Sequence, residues 1–269
     1  FLASEIKRAK VNLLNGAERA FKDKDKTLSD RFVDNYVSHF LSGDPIVGIE
    51  NRYQYLKAEL ANIKVEEVNA LAKRMETKQG FFAMIMAAEK NKASLPAADS
   101  LTYFITAARA IPAQPYQEKA IAKTLIDRQP VAGKIVQESK DEKLGTTQLT
   151  LSNGITVTLK PTDFKNDEIL MDSWRWGGHH LYPVADKVNA EKAATLVRTM
   201  GVKDFSPTDL RKFLAGKSVQ VTPYINADDE GIEGRSSIKD LETFFQLVHT
   251  YFTQPRKDVG LFQIGRAHV

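Results

Sequence analysis

Apolar residues recur every three or four positions along the first third of the chain, which is the spacing of one helix face. This spacing predicts core-facing helices over 4–21 and 65–75, and between them a helix that Ser29 caps and Gly43 ends. The continuous apolar run of 80–90, GFFAMIMAAEK, instead predicts a buried strand. The apolar positions of the three helical stripes are Ile6, Ala9, Leu13, Ala17, Ala20, then Phe32, Val33, Tyr36, Val37, Phe40, and then Val65, Val68, Leu71, Ala72 and Met75.

The hydrophobic period becomes two after the middle of the chain, which indicates strands. Leu149 and Leu151 alternate with polar residues before Asn153 and Gly154, a pair that predicts a hairpin with a two-residue type I′ turn. The following pattern predicts strands over 168–176, 218–226 and 231–237, and helices over 185–200, 206–216 and 238–252. The apolar face predicted for the last helix is Leu241, Phe244, Phe245, Val248 and Phe252.

Residues 112–144 separate the two patterned regions and are typical of a linker. They combine prolines and alternating charges, with only a short helical pattern at 121–125. The order of elements on either side predicts an α+β fold made of two incomplete two-layer units, each an antiparallel-rich sheet with helices packed on one face. We therefore expect domains at 1–111 and 145–263.

Composition excludes several classes of function. The 269 residues are 42% hydrophobic and 27% charged, and 38 basic and 34 acidic residues are mixed along the chain, so no basic face for nucleic acid is predicted. The absence of cysteine excludes disulfides, thiolate zinc sites and a cysteine nucleophile. No apolar run approaches the ~20 residues of a membrane-spanning helix, so we expect no membrane partner.

Several long blocks resemble, in the same order, the pitrilysin/insulinase family of zinc metallopeptidases, particularly its large bacterial members. SEIKRAKVNLL and RFVDNYVSHFLSGDPIVGIE are similar to the last part of the N-terminal half of that family. LGTTQLTLSNGITVTLKPTDFKNDEIL, GVKDFSPTDLRKFLAGKSVQVTPYI and DLETFFQLVHTYFTQPRKD are similar to the start of the C-terminal half. The likeness covers nearly all of 1–263. It implies an internal slice containing the end of the second domain, the linker between halves and the start of the third domain.

The resemblance implies an architecture of four similar α+β domains, the metallopeptidase/processing-peptidase-like fold, in two bowl-shaped halves around a chamber that encloses peptides. In such enzymes the first domain carries zinc on an inverted H-x-x-E-H helix, where the two His and a later Glu bind the ion and the motif's Glu activates water. This chain has no such motif. We therefore expect no catalytic, cofactor-binding or metal residue here, and a zinc ion bound elsewhere in the parent protein.

By the same resemblance, the chain supplies non-catalytic wall and hinge to an endopeptidase. Its expected partners are the peptide substrate and the remaining domains of the parent protein, and the expected location is the periplasm, with the signal region outside the sequence. Two alternatives stay open. The parent is a catalytically silent binding or scaffold member of the superfamily, or the chain is an unrelated α+β protein.

The five histidines are the candidate metal ligands. Among them only the neighbours His179 and His180 invite a metal interpretation, but adjacent residues on a strand point to opposite faces, and Glu191 lies too far along for the inverted motif. We favour the interpretation that both histidines are polar residues at a strand end or in a loop, without a metal. His39 and His249 are predicted to be satisfied histidines at the edge of the core.

Three other stretches carry expectations. Trp174 and Trp176 share a strand face, and we favour packing under a helix over the lining of a peptide chamber. GDPIVGIE, at 43–50, has glycines like a phosphate loop but lacks the G-K-[ST] ending, which favours a helix-terminating turn. IGRAHV, at 264–269, resembles translated sequencing adapter, so this tail is predicted to be non-native and its His268 is excluded from function.

Overall fold

The computed structural model of the chain describes residues 1–74, 82–112, 114 and 116–266. The α-helices are α1 (Ala3–Lys22), α2 (Ser29–Ser42), α3 (Ile49–Asn62), α4 (Val65–Arg74), α5 (Ala98–Ala110), α6 (Lys187–Met200), α7 (Pro207–Phe213), α8 (Leu241–Thr253) and α9 (Val259–Arg266). The strands are β1 (Ile135–Asp141), β2 (Thr146–Leu151), β3 (Thr156–Leu159), β4 (Ile169–Trp176), β5 (Val219–Ile225) and β6 (Asp229–Ser236).

The described strands form two antiparallel sheets of three strands each. The first sheet has the order β1-β2-β3 and the second has the order β4-β6-β5. In the second sheet β6 is central, and helices α6 and α8 pack against one side. The predicted α+β class, with antiparallel strands and helices on one face, is confirmed.

The chain divides into two compact units. The first contains Phe1–Ile6 and Ile63–Ala120, and the second contains Lys7–Asn62 and Ile121–Val269. Both sheets belong to the second unit, and the described residues of the first unit contain helices but no strand.

The strand predicted over 80–90 is wrong for its described part. Residues 82–88 have no regular secondary structure, and Glu89–Ser94 is a 3₁₀-helix. The side chains of Phe82 and Met86 are both more than 80% exposed, at 83% and 82%. A strand needs a hydrogen-bonded neighbour, and neither described sheet extends to this stretch. Gly80 and Phe81 lie outside the described residues.

The stripes of α1 and α2 are also less buried than predicted. Neither helix contains a fully buried residue, and Leu13 and Phe40 are 56% and 87% exposed. Helix α2 begins at Ser29 itself rather than after a Ser29 cap, but its end at a left-handed Gly43 is as predicted. Within the second unit, residues 7–22 of α1 make polar contacts, such as that in which the Gly216 N–H donates to Asn12 Oδ1 at 2.7 Å.

The core of the second unit lies between the second sheet and the helices. Helix α8 supplies Phe244, Leu247 and Tyr251, whereas the predicted face residues Phe245 and Phe252 are 52% and 67% exposed. The buried core side chains are Leu125, Val202, Phe205, Leu210, Val221, Ile232, Phe244, Leu247 and Tyr251.

The predicted hairpin of β2 and β3 is confirmed, but its turn is not type I′. A type I′ turn needs positive φ at both central residues, and among the non-glycine residues described only Lys203 has one. The Gly154 N–H donates to Leu151 O at 2.9 Å, and Gly154 has φ +86°. This is the pattern of a type I turn followed by a left-handed glycine, so the loop has three residues rather than two.

The short helical pattern predicted at 121–125 is also wrong, since these residues form no helix. Instead Leu125 is wholly buried in the core of the second unit, and the Thr250 hydroxyl lies 3.5 Å from its carbonyl oxygen. Farther along the predicted linker, Ile135–Asp141 is strand β1, paired with β2. Residues 127–134 between these two anchors are all exposed.

Candidate functional site

The second sheet has one covered face and one open face. Val221, Ile232 and Gly234 point toward α8; a Cβ at Gly234 would lie 2.4 Å from the Phe244 ring. Because side chains alternate along a strand, the neighbours of these residues point to the other side. From the strand register, the open face consists of Leu170, Asp172, Trp174 and Trp176 of β4, Asp229, Gly231, Glu233 and Arg235 of β6, and Gln220, Thr222 and Tyr224 of β5.

Two tryptophans lie on this open face. Trp174 is 58% exposed and Trp176 is 76% exposed, and their rings meet edge to face with centroids 5.2 Å apart. The favoured prediction, packing under a helix, is therefore wrong. The physical reason is the topology, since α6 and α8 cover the opposite side of the sheet and leave the tryptophan side open.

Tyr224 lies across the sheet toward the tryptophans. Gly231 pairs with Trp174 on one side and with Tyr224 on the other. The Tyr224 hydroxyl donates to the carbonyl oxygen of Ser173 at 3.3 Å, passing over Gly231. A Cβ at Gly231 would lie 2.8 Å from the tyrosine oxygen and closer still to Ser173 O. The absence of a side chain at Gly231 therefore leaves room for the Tyr224 ring.

Three carboxylates surround the Tyr224 hydroxyl. Burial, the charges of Asp172, Asp229 and Glu233, and a hydrogen bond to Asp229 together raise the pKa of Tyr224 to about 12. The phenol is therefore neutral at physiological pH. Asp229 also accepts hydrogen bonds from Asn226 at 3.2 and 3.3 Å. For Asp172 and Glu233, the described residues supply no salt bridge or side-chain hydrogen bond.

A shallow cleft of about 590 Å³ runs along the same face, beside the aromatic row. Its lining includes Asp172 and Glu233, which face each other across β4 and β6, and Arg235 beyond them. The open face thus combines exposed aromatic rings with carboxylates that have no cationic partner in the described part of the chain. Such a surface can hold a cationic group by charge pairing and by cation–π contact.

The histidine pair lies at one end of β4. His179 and His180 are in a short 3₁₀-helix after Gly177 and Gly178, as the loop prediction proposed. His180 Nδ1 is 2.8 Å from Asp228 Oδ1, whereas His179 Nε2 is 3.7 Å from Glu191 Oε1. The two imidazoles therefore have different carboxylate neighbours. His179 is largely buried, and its Nδ1 has no hydrogen-bond partner among the described atoms.

The other histidines give no site. His39 is exposed rather than at the core edge, and its Nδ1 lies 2.7 Å from Asp44 O. His249 is exposed on α8, so its predicted place at the core edge is also wrong. Within the described ranges, no group of three or more His, Cys, Asp or Glu side chains could hold a metal ion. His268 lies outside the described residues.

The GDPIVGIE stretch terminates a helix, as predicted. Gly43 takes φ +72° at the end of α2 and donates its N–H to His39 O, and α3 begins at Ile49. No phosphate-binding role follows from it.

Comparisons with known proteins show what the chain is similar to. The chain is 26% identical over 257 residues to a protein of Arabidopsis thaliana described as zinc protease PQQL-like, across 94% of this chain and 24% of the relative. The fold matches the crystal structure of the periplasmic protease PqqL from Escherichia coli with a TM-score of 0.52 and 17% identity, across all of this chain and 30% of PqqL. The chain is thus similar in sequence to a protein described as a zinc protease, in agreement with its resemblance to the pitrilysin/insulinase family.

The resemblance predicted from sequence is thus confirmed, and the chain spans about a quarter of the length of its curated relative, 24%. The structure of a ferredoxin protease FusC mutant in complex with Arabidopsis ferredoxin is 18% identical with a TM-score of 0.42, over 95% of this chain and 30% of FusC. No family model matches the chain. None of the helices described above combines the length and hydropathy needed to cross a membrane.

The sequence pattern had not singled out Tyr224 or the carboxylates of Asp172, Asp229 and Glu233 near it. The period-two alternation indicates which residues share a face within each strand, so Asp172 could have been grouped with Trp174. The strand order β4-β6-β5 brings Glu233 and Tyr224 beside Asp172 and Trp174. This order depends on contacts between residues far apart in the sequence, so no local sequence pattern indicates it.

Proposed function

We propose that this chain is a segment of a zinc-dependent endopeptidase and forms non-catalytic wall and hinge around a chamber that encloses peptides. The observation that carries the proposal is the similarity to a zinc protease over 94% of the chain, without an H-x-x-E-H motif in the sequence. The zinc ion of the complete protein would then be held by residues outside this chain, and the chain's partners would be the peptide substrate and the other domains.

The hinge is assigned to the predicted linker, 112–144, between domain segments 1–111 and 145–263. Support comes from residues 127–134, which are exposed and without strand or helix; Leu125 and strand β1 on either side both lie in the second compact unit. The predicted non-native tail, 264–269, is kept as a proposal; α9 includes its first three residues, and 267–269 lie outside the described residues.

We assign the complete protein to the periplasm. The relative PqqL is described as a periplasmic protease, which supports this location. A cysteine-free chain is compatible with an oxidising compartment because it has no thiol to protect.

Zinc titration of the purified chain tests the assignment of its role. Elemental analysis and calorimetry should find no stoichiometric zinc, and the chain should not hydrolyse a quenched fluorescent peptide. A His179→Ala/His180→Ala variant serves as the matched control and should behave identically. Tight one-to-one zinc binding that this double variant abolishes would place a metal site in this chain and contradict the proposal.

A further inference from the structure

We propose that the open face of the second sheet binds extended, basic polypeptide segments, with lysine or arginine side chains placed over the row formed by Trp174, Gly231 and Tyr224. This inference goes beyond the proposed function, because it assigns a ligand class to this chain whether or not the complete protein is a peptidase.

The two tryptophan rings on this face are exposed to solvent. Two tryptophans in contact with each other, 58% and 76% exposed, share a sheet face with Tyr224, on the side of the sheet that α6 and α8 leave open. Large exposed aromatic surface is unusual on a protein face that contacts only water, and indole faces attract cations.

Acidic side chains outnumber basic side chains on that face. Its acidic side chains are Asp172, Asp229 and Glu233, whereas Arg235 is the one basic side chain among the open-face residues of the three strands. The whole chain, by contrast, has a formal net charge of +4. The face is therefore locally complementary to a basic ligand. Because the net charge of the whole chain is positive, its overall electrostatic field would not attract such a ligand.

The spacing fits an extended peptide. Successive rows of the open face are two residues apart along each strand, or roughly 7 Å. Alternate side chains of an extended peptide repeat at the same distance. A peptide running along β6 with basic residues at alternate positions would therefore meet the Asp229 row, the aromatic row and the row of Asp172 and Glu233 in turn.

The experiment uses the complete 269-residue chain. A fluorescently labelled Lys/Gly/Ser peptide is titrated by anisotropy, with a Glu/Gly/Ser peptide of equal length as the ligand control. Trp174 and Trp176 are the only tryptophans in the chain, so their emission reports directly on this face when unlabelled peptide is added. We expect saturable binding of the basic peptide with a matching change in tryptophan emission, and weaker binding at high salt.

The test variant is Asp172→Asn/Glu233→Gln, which removes two charges without changing side-chain size. We expect it to weaken binding of the basic peptide by about twofold to thirtyfold, in line with the loss of two exposed charge pairs. The matched control is Glu138→Gln/Glu142→Gln, which removes two exposed charges elsewhere and should leave affinity unchanged. Circular dichroism of both variants checks that the fold is retained.

Four results would overturn the proposal. They are equal binding of the acidic peptide, no binding of the basic peptide up to about millimolar concentration, equal loss in the two double variants, and tryptophan emission that changes with protein concentration alone. The last result would assign the face to a second copy of the chain.

Discussion

The carboxylate of Asp167 is only 5% exposed and lies between helix α1 and the residues just before helix α8. Lys22 Nζ is 2.9 Å from one of its oxygens, and the Ile238 N–H donates to the other at 3.0 Å. Burial alone would raise the pKa of Asp167, but these hydrogen bonds and the charge of Lys22 outweigh it, so its pKa is lowered below the ordinary value of 3.8.

We predict that Asp167→Asn lowers the free energy of unfolding at neutral pH by about 1–3 kcal/mol, because it removes a buried, hydrogen-bonded charge. A lowered folded-state pKa adds stability above pH 3.8 that disappears as the pH falls through the lower folded value. The difference between wild type and variant should therefore shrink below pH 3.8 in urea titrations. The exposed Asp163→Asn control should show no such pH-dependent difference.

Two glycines provide an opposite pair of predictions. Gly234→Ala should destabilise the chain by about 1–3 kcal/mol, since the new methyl would meet the Phe244 ring and Gln220 O at 2.4 and 2.7 Å. Gly16→Ala, in the interior of α1 with no atom within 4 Å of the new methyl, should stabilise it by up to about 1 kcal/mol. Thermal unfolding of both variants measures the two effects, and equal shifts would contradict the assigned packing.

At the scale of elements, helix α8 anchors the second sheet. Phe244 is 1% exposed, whereas Phe252 on the same helix is 67% exposed. We predict that Phe244→Ala costs about 3–5 kcal/mol of unfolding free energy, whereas Phe252→Ala costs below about 1 kcal/mol. Chemical denaturation measures both. A similar cost for the two variants would mean that α8 packs with a different face inward.

Sequence periodicity predicted most of the elements in the second half, where local patterns and tertiary packing agree. Helix α7 illustrates this agreement, because Ser206 accepts a hydrogen bond from the Asp209 N–H as a capping box predicts. Helices α3 and α5 and strand β1 were missed. The hydrophobic pattern of α3 is weak, and its fully buried residue is Leu60. All residues of strand β1 are exposed, so its sequence shows no alternation of hydrophobic and polar residues that would indicate a strand.

The same limit applies to the candidate site. Trp174 and Trp176 were assigned correctly to one face of one strand, but no local pattern indicates which face of a sheet its helices cover. The apolar stripe of α2 shows a related failure, since Phe40 follows the helical period yet is 87% exposed. Periodicity predicts that a face is apolar, whereas burial depends on which elements the rest of the fold places against it.

At the scale of the whole molecule, the linker provides a direct prediction. Trypsin should cut first within 111–144, and most readily at Arg128, because 127–134 is exposed and without regular structure. Mass spectrometry of early fragments locates the cut. Earlier cutting inside 28–41 or 238–252 would argue against the proposed hinge.

We propose that this chain is non-catalytic wall of a zinc endopeptidase whose metal is bound elsewhere. The most direct test of this proposal is peptide hydrolysis by the product of the complete gene, before and after removal of zinc by a chelator. We expect hydrolysis that the chelator abolishes and added zinc restores, with an H-x-x-E-H helix outside this chain. A complete product that holds no zinc and cleaves no peptide would contradict it and favour a silent scaffold protein.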